Sequence, residues 1–244
     1  MARIAALVYG VVCYLIFFVT FLYAIAFVGN LFVPRSIDIN PQAATLTRAI
    51  IANVILLSIF ALQHSIMARP SFKRIFTKVI SPAIERSTFV LLSSLALLLL
   101  FCQWRTIPDV VWDVQNTAGK FMLWAIFAFG WFMVLLSTFL INHFDLFGLR
   151  QVYLYSKSEE YTPVGFKELL FYKFVRHPLM LGFIIAFWAT PRMTYGHLLF
   201  AVVTTAYILV AIQLEERNIA DAVGEDYEGY RRRVSMIIPM PPKA

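Results

Sequence analysis

Long apolar stretches recur along the whole amino-acid sequence and constrain the fold more than any other feature. A helix crosses the hydrocarbon core of a bilayer with about 20 predominantly apolar residues. Six stretches approach or exceed this length: Ile4–Val33, Arg48–Met67, Thr88–Trp104, Phe121–Ile141, Leu169–Ala189 and Tyr195–Leu214. With 60% hydrophobic and only 14% charged residues, the composition excludes an ordinary soluble domain. The sequence predicts an all-α, polytopic helical bundle in a membrane, with about six transmembrane helices.

The fifth stretch has a second interpretation. Arg176, His177 and Pro178 interrupt its first half, and Thr190-Pro191-Arg192 follows its apolar part. The alternative is five transmembrane helices plus a short re-entrant hairpin shared with the sixth stretch. The first stretch is much longer than the apolar region of a signal peptide, so we interpret it as a retained helix.

Basic residues predict the orientation, because Lys and Arg accumulate in short cytoplasmic loops. The segments 68–87, 142–176 and 215–244 hold five basic residues each, and Arg3 raises that side to 16, against 5 on the other side. Both termini are therefore expected in the cytoplasm. Membrane topology explains the net charge of +7, and the lipid bilayer is the expected partner. Neither a nucleic acid nor an obligatory protein partner is predicted.

Ionisable residues gather at the cytoplasmic ends of the predicted helices. Such residues are costly near a bilayer and mark function, except where they reach the interface cheaply. The group comprises His64, Arg69, His143, Asp145, Arg150, Arg176, His177, Glu215 and Glu216. The acidic pair at 215–216 opposes the dipole of its helix and needs a cationic partner: Arg176, Arg217 or a ligand ammonium.

An arginine and a histidine beside two glutamates match the charges of an amino-acid zwitterion. S-adenosylmethionine is a cytosolic cofactor with such an end. A haem held by two of the four histidines is the metal alternative. The sequence contains no Cys-x-x-Cys-His attachment motif, and we predict no metal site.

Motifs near the C-terminus resemble those of the isoprenylcysteine carboxyl methyltransferase and phospholipid methyltransferase superfamily. They are Arg176-His177-Pro178, Gly182, Glu215-Glu216, Gly224, Tyr227, Tyr230 and Pro239. In that family the motifs build a cytosol-facing pocket for S-adenosylmethionine. The resemblance implies the following cofactor-binding residues: Arg176, His177, Met180, Gly182, Glu215, Glu216, Tyr227 and Tyr230. Met180 stands where the family usually has tyrosine.

Three further segments extend the resemblance over most of the chain. "QHSIMARPSFKR" at 63–74, "ERSTFVLLSSLALLLLFCQWR" at 85–105 and "NHFDLFGLRQV" at 142–152 are similar to the nurim-like branch, specifically its bacterial methanethiol S-methyltransferases. The resemblance implies an enzyme of the bacterial inner membrane that makes dimethyl sulfide at a cytoplasmic active site. Residues 1–244 then form one methyltransferase domain, in which 1–170 shape the acceptor site and 171–244 bind the cofactor.

Methyl transfer from a sulfonium to a thiolate needs positioning and a deprotonated nucleophile, and it needs no metal. We expect Arg176, His177 and Glu216 to hold the cofactor, with Glu215 orienting the basic groups. The remaining polar groups at that face are the catalytic candidates. His64, His143 or Asp145 would accept or orient the thiol proton, and Arg69 or Arg150 would stabilise the thiolate.

Two alternatives stay open beside a methyltransferase whose acceptor is a small volatile thiol. One is a methyltransferase for a lipid-like acceptor, such as a prenylcysteine carboxylate or a phospholipid amine. The other is a non-enzymatic nurim-like membrane protein, which would not bind S-adenosylmethionine.

Overall fold

The computed structural model of the chain describes residues 1–40, 44–165 and 168–239, except the side chains of 221–223 and 226. The described chain is mostly helical and has one small antiparallel sheet. Its helices are α1 Ala2–Gly29, α2 Leu46–Met67, α3 Pro70–Phe76, α4 Pro82–Gln103, α5 Thr117–Ile141, α6 His143–Leu146, α7 Leu149–Lys157, α8 Pro178–Trp188, α9 Tyr195–Val223 and α10 Glu225–Arg233. Its strands are β1 Val110–Asp113 and β2 Arg192–Thr194, and a 3-10 turn covers Leu170–Lys173.

Five helices of the described chain, α1, α2, α4, α5 and α9, are long and apolar enough to cross a membrane. They coincide with five of the six predicted stretches, which confirms a polytopic helical membrane protein. Local signals set their ends. Ser81 caps α4 by accepting a hydrogen bond from the Ala83 N–H, and Pro82 occupies the first turn, so α4 begins before the predicted Thr88. Asn30 adopts the left-handed conformation (φ 54°) and ends α1 before the predicted Val33.

The fifth stretch is not a transmembrane helix, and its prediction as one over Leu169–Ala189 is wrong. Only Pro178–Trp188 is α-helical, 11 residues that rise about 16 Å. Pro178 lacks an N–H group and disfavours helical backbone at the residue before it. His177 is accordingly non-helical, with φ −123° and ψ 62°. The number of long helices therefore agrees with the alternative of five transmembrane helices. Whether α8 forms part of a re-entrant hairpin stays a prediction.

An extended segment follows α8 and leads into β2. β2 pairs antiparallel with β1, with Val110 opposite Thr194 and Asp113 opposite Arg192. Since β1 precedes α5 and β2 follows α8, the segment 178–194 runs back along α5. Ala189, Thr190, Met193 and Thr194 are buried, whereas Arg192 is exposed.

Contacts divide the chain into two compact units. The first comprises Met1–Asp109 and Asn142–Gly165, and the second comprises the described residues of Val110–Ile141 and Phe166–Ala244. The predicted roles of 1–170 and 171–244 stay predictions.

In the first unit α4 packs against α1 and α2, and α7 packs against α1. Gly10 of α1 makes room for Val152 of α7, whose Cγ2 lies 2.5 Å from where a Cβ on Gly10 would stand.

In the second unit α5 and α8 pack closely through glycines. A Cβ on Gly182 would lie 2.8 Å from the Gly130 carbonyl oxygen and 2.9 Å from the Val134 nitrogen. A Cβ on Gly130 would lie 2.7 Å from the Ala186 nitrogen. Small residues allow this close approach of helix backbones. α9 packs against α8, and α10 packs against α9.

Candidate active site

The segment 175–177 of the second unit lies beside the tail that follows α10. Because Pro178 starts α8, the preceding backbone is free to pair outside a helix. Val175 forms a parallel bridge with Ser235. The Arg176 N–H donates to the Ser235 carbonyl at 2.8 Å, and the His177 N–H donates to the Met236 carbonyl at 3.2 Å. The tail is therefore held at the N-terminus of α8.

The Arg176 side chain bonds to three parts of the second unit: α9, α10 and the tail after α10. Its Nε donates to Glu216 Oε1 at 2.7 Å, and its Nη1 donates to the carbonyls of Arg231 at 3.0 Å and Val234 at 2.6 Å. A buried ion pair is tolerated only when its remaining hydrogen-bonding groups are satisfied. These contacts meet that condition and leave Arg176 largely engaged by the protein itself.

The two adjacent glutamates have different surroundings. Glu216 is buried, and its Oε1 also lies 3.1 Å from His177 Nε2, while its Oε2 lies 3.5 Å from Arg231 Nε. The Glu215 side chain is 49% exposed, with Oε2 3.9 Å from His177 Nδ1. Arg176 is thus the cationic partner of Glu216, and Glu215 presents its carboxylate toward solvent.

Other predicted cofactor-binding residues have packing roles in the structure. Tyr227 and Tyr230 are buried and pack with Val234 against α9. The Tyr230 hydroxyl donates to the Tyr172 carbonyl at 2.7 Å. Burial, helped by the charge of Glu216, raises the pKa of Tyr227 to about 12, so this phenol stays neutral.

Met180 and Gly182 lie in the first half of α8. Met180 is partly buried, and Gly182 lies against the backbone of α5. The cofactor contacts predicted for these two residues and for the two tyrosines stay predictions.

In the first unit His143 pairs with a tyrosine from α1. The Tyr14 hydroxyl lies 2.8 Å from His143 Nε2, and the imidazole is 5% exposed. The rings of Phe144 and Phe147 lie 5.4 and 4.9 Å away, between centroids. Burial lowers the pKa of His143, so the ring is neutral near pH 7 and able to accept a proton.

His64 lies beside the same apolar region from the side of α2. Its ring lies 5.3 Å from that of Phe60 and 4.9 Å from that of Phe89, and its Nδ1 is 3.2 Å from the Ser93 hydroxyl. Phe89 belongs to a cluster with Met67 and Val90, against which further aromatic rings pack: Phe17, Phe72, Phe76 and Phe147. We call this set the aromatic cluster. Because Phe147 also contacts His143, the two histidines border one apolar region.

Asp145 and Arg150 engage each other and the segment that follows α7. Arg150 Nη1 lies 3.0 Å from Asp145 Oδ1, and Arg150 donates to the carbonyl and hydroxyl oxygens of Thr162 at 2.6 and 2.9 Å. The Tyr161 hydroxyl donates to Asp145 Oδ2 at 3.2 Å. Arg69 precedes α3, and its side chain makes no hydrogen bond or ion pair with another described residue. The catalytic candidates therefore lie in separate groups of contacts.

Three residues that sequence reasoning did not select join these groups. Tyr14 is a single hydroxyl in an apolar run, and Arg231 belongs to a basic tail that membrane orientation already explained. Arg86 donates from Nε to the Leu146 carbonyl at 2.8 Å, and its guanidinium lies 5.2 Å from the centre of the Phe89 ring. Arg86 stands inside the quoted segment 85–105, which was the available signal.

Among the described residues no group of three or more His, Cys, Asp or Glu side chains is arranged to hold a metal ion.

The fold and these contacts define a polytopic membrane protein with a buried Arg–Glu–His network next to its C-terminal tail. The chain belongs to the NnrU protein family, whose model matches residues 53–237. It is 56% identical over 241 residues to a methanethiol S-methyltransferase of Mycobacterium tuberculosis, covering 99% of this chain and 98% of that protein. It is 54% identical over 239 residues to a methanethiol S-methyltransferase of Crocosphaera subtropica, covering 98% and 93%.

More distant relatives include Nurim of Mus musculus, 26% identical over 189 residues and 72% of each chain. These relationships confirm the predicted nurim-like branch, and the names of the bacterial relatives support a methyltransferase. No solved structure matches the chain at a significant level.

Proposed function

We propose that this chain is an integral membrane S-methyltransferase that uses S-adenosylmethionine to convert methanethiol to dimethyl sulfide. The observation that carries the proposal is the 56% identity, over nearly the whole of both chains, to a relative named methanethiol S-methyltransferase. The protein would lie in the inner membrane of a bacterium, with both termini and the reaction site on the cytoplasmic side. The placement of basic residues supports this orientation.

The second unit offers both charges that the amino-acid end of the cofactor needs. The half-exposed carboxylate of Glu215 suits an ammonium group. Arg231, whose side chain is 46% exposed, already lies 3.5 Å from Glu216 Oε2 through Nε and 3.5 Å from Glu228 Oε1 through Nη1. Its remaining guanidinium N–H groups suit a carboxylate. Bound there, S-adenosylmethionine supplies a methyl group on a sulfonium centre that a thiolate can accept. Glu216 is saturated by Arg176 and His177. We therefore assign the ligand contact to Glu215 and the positioning of the basic groups to Glu216, the reverse of the roles expected from the sequence.

The first unit supplies the features that a small thiol needs. Methanethiol has almost no polar handle, so its recognition depends on apolar surface, which the aromatic cluster provides. A neutral imidazole beside this cluster can take the thiol proton as the S–H bond breaks, leaving a thiolate. His143 is our first choice for this base, because Tyr14 fixes its ring at 2.8 Å. His64 is the second choice.

The test uses the purified full-length protein in nanodiscs with methyl-labelled S-adenosylmethionine. Separate reactions contain methanethiol, hydrogen sulfide, a longer thiol or a prenylcysteine. Label recovered in dimethyl sulfide supports the proposal, and the variant His143→Gln should lose most of that signal while it still binds the cofactor. Label transferred only to the prenylcysteine would identify a lipid-like acceptor instead. A protein that binds no S-adenosylmethionine would be a non-enzymatic member of the family.

A further inference from the structure

Two phenylalanine rings of the first unit stack against each other beside His143. Phe17 lies in α1, and Phe147 directly follows α6. Their ring centroids are 3.9 Å apart, with 22° between the ring planes. Phe147 also lies 4.9 Å from the His143 ring, between centroids, and both phenylalanines belong to the aromatic cluster. The stack therefore occupies space next to the imidazole that we assign as the base.

The backbone on either side of Phe147 is held against α4. Before it, the Leu146 carbonyl accepts a hydrogen bond from Arg86 Nε at 2.8 Å. After it, Gly148 has φ 86°, and a Cβ there would lie 2.7 Å from the Ser87 nitrogen. Such a close approach in the left-handed region requires glycine. These two attachments fix the position from which the Phe147 ring projects.

The other ring of the stack comes from the helix that also positions the base. α1 packs against α4 and α7. Tyr14 lies one turn before Phe17, with the two ring centroids 6.0 Å apart, and its hydroxyl bonds to His143. The same helix therefore holds the imidazole through Tyr14 and supports the Phe147 ring through Phe17.

A thiol whose proton passes to His143 must place its sulfur within hydrogen-bond reach of that ring. Its alkyl chain then meets the rings that border the imidazole, and Phe147 is one of them. Protein interiors are closely packed, and space for an additional methylene is obtained only by moving side chains. An apolar pocket distinguishes ligands that differ by one methylene by about 10–200-fold. The position of the Phe147 ring therefore bears directly on the length of the thiol.

We propose that the stack of Phe17 and Phe147 limits the size of the thiol that the protein methylates, with Phe147 as the main specificity-determining residue. The inference rests on the proposed function, because it concerns the acceptor of that reaction. Phe147 has the larger effect because its ring contacts His143 itself, whereas Phe17 supports that ring from behind. Methanethiol fits beside the stack, and the longer chain of propanethiol collides with it.

The test measures kcat/KM for methanethiol, ethanethiol and propanethiol with the purified full-length protein and S-adenosylmethionine, by gas chromatography of the methyl sulfides formed. In the unchanged protein propanethiol should react at least about tenfold less efficiently than methanethiol. Phe147→Ala should raise the ratio of propanethiol to methanethiol about tenfold or more, and Phe17→Ala should raise it by less. Phe18→Ala is the matched control and should leave the ratio unchanged. Phe18 is the next residue of α1, is 42% exposed and lies outside the aromatic cluster.

Equal efficiency with methanethiol and propanethiol in the unchanged protein would overturn the inference, and this comparison needs no variant. An unchanged ratio in Phe147→Ala would also overturn it and leave the stack with a packing role alone. Phe147→Leu keeps an apolar side chain and should raise the ratio in the same direction, which covers an alanine variant that does not fold. In these outcomes methanethiol is still methylated, so the proposed function stands. Methylation of no thiol at all by the unchanged protein would contradict the proposed function, and this inference with it.

Discussion

Arg176 donates from Nε to Glu216 Oε1 over 2.7 Å, with 10% and 4% of the two side chains exposed. The two residues are 40 positions apart along the chain, and the pair joins the segment before α8 to α9. The other bonds of Arg176 reach the carbonyls of 231 and 234. This ion pair therefore contributes both to the proposed cofactor region and to the stability of the second unit.

Glu216→Gln is expected to destabilise the protein. The substitution leaves the Arg176 guanidinium buried without its counter-charge, and breaking a buried pair in this way costs about 3–5 kcal/mol. Thermal unfolding of the purified protein in detergent measures the effect. The variant should melt at a lower temperature than the wild type even without any ligand. An unchanged melting temperature would show that the pair contributes little to stability.

Glu215→Gln is the matched substitution at the neighbouring position and is expected to act differently. Its side chain is half exposed and 3.9 Å from His177 Nδ1, so its loss should change stability by less than about 1 kcal/mol. Affinity for S-adenosylmethionine should fall about tenfold or more, since a charge-assisted contact to the ligand is lost. Calorimetric titration with the cofactor checks this result. Unchanged affinity in Glu215→Gln would contradict the role that we assign to Glu215.

The pH dependence of the reaction should report the base in the first unit. Burial lowers the pKa of His143, so its imidazole stays neutral below the usual value of about 6.5. The rate should therefore rise with pH through an inflection below about 6.5 and be level above it. His143→Gln should remove the inflection, and Tyr14→Phe should move it while leaving the ring packing intact. An inflection that persists in His143→Gln would identify another titrating group, with His64 the first to examine.

Hydropathy was sufficient to locate the five long helices, because a bilayer-crossing helix needs only a long apolar run. It misjudged the fifth stretch, because hydropathy reports composition and not backbone conformation. Pro178 disfavours a continuous helix through that stretch. The apolar residues Leu169, Phe174 and Val175 before it lie outside any α-helix.

The candidate site, too, could be predicted from the sequence only in part. The acidic pair was expected at the end of its helix, where the helix dipole disfavours it, and this expectation pointed to a cationic partner. The position was wrong, because α9 continues to Val223. Arg176 nevertheless pairs with Glu216. By contrast, Tyr14 lies 129 residues from His143. Nothing local in the sequence marks two residues that only the packing of α1 brings together.

The contact between α5 and α8 gives a stability prediction with a built-in control. Gly182→Ala would place a Cβ 2.8 Å from the Gly130 carbonyl oxygen and 2.9 Å from the Val134 nitrogen, both backbone atoms that cannot rotate away. The helices must separate, at an expected cost of about 1–3 kcal/mol. Gly229→Ala in α10 is the control, because no atom lies within 4 Å of its Cβ position. Alanine also favours the helix there by up to about 1 kcal/mol. Thermal unfolding should show a lower melting temperature for Gly182→Ala and an equal or higher one for Gly229→Ala, and equal losses in both would contradict close packing at Gly182.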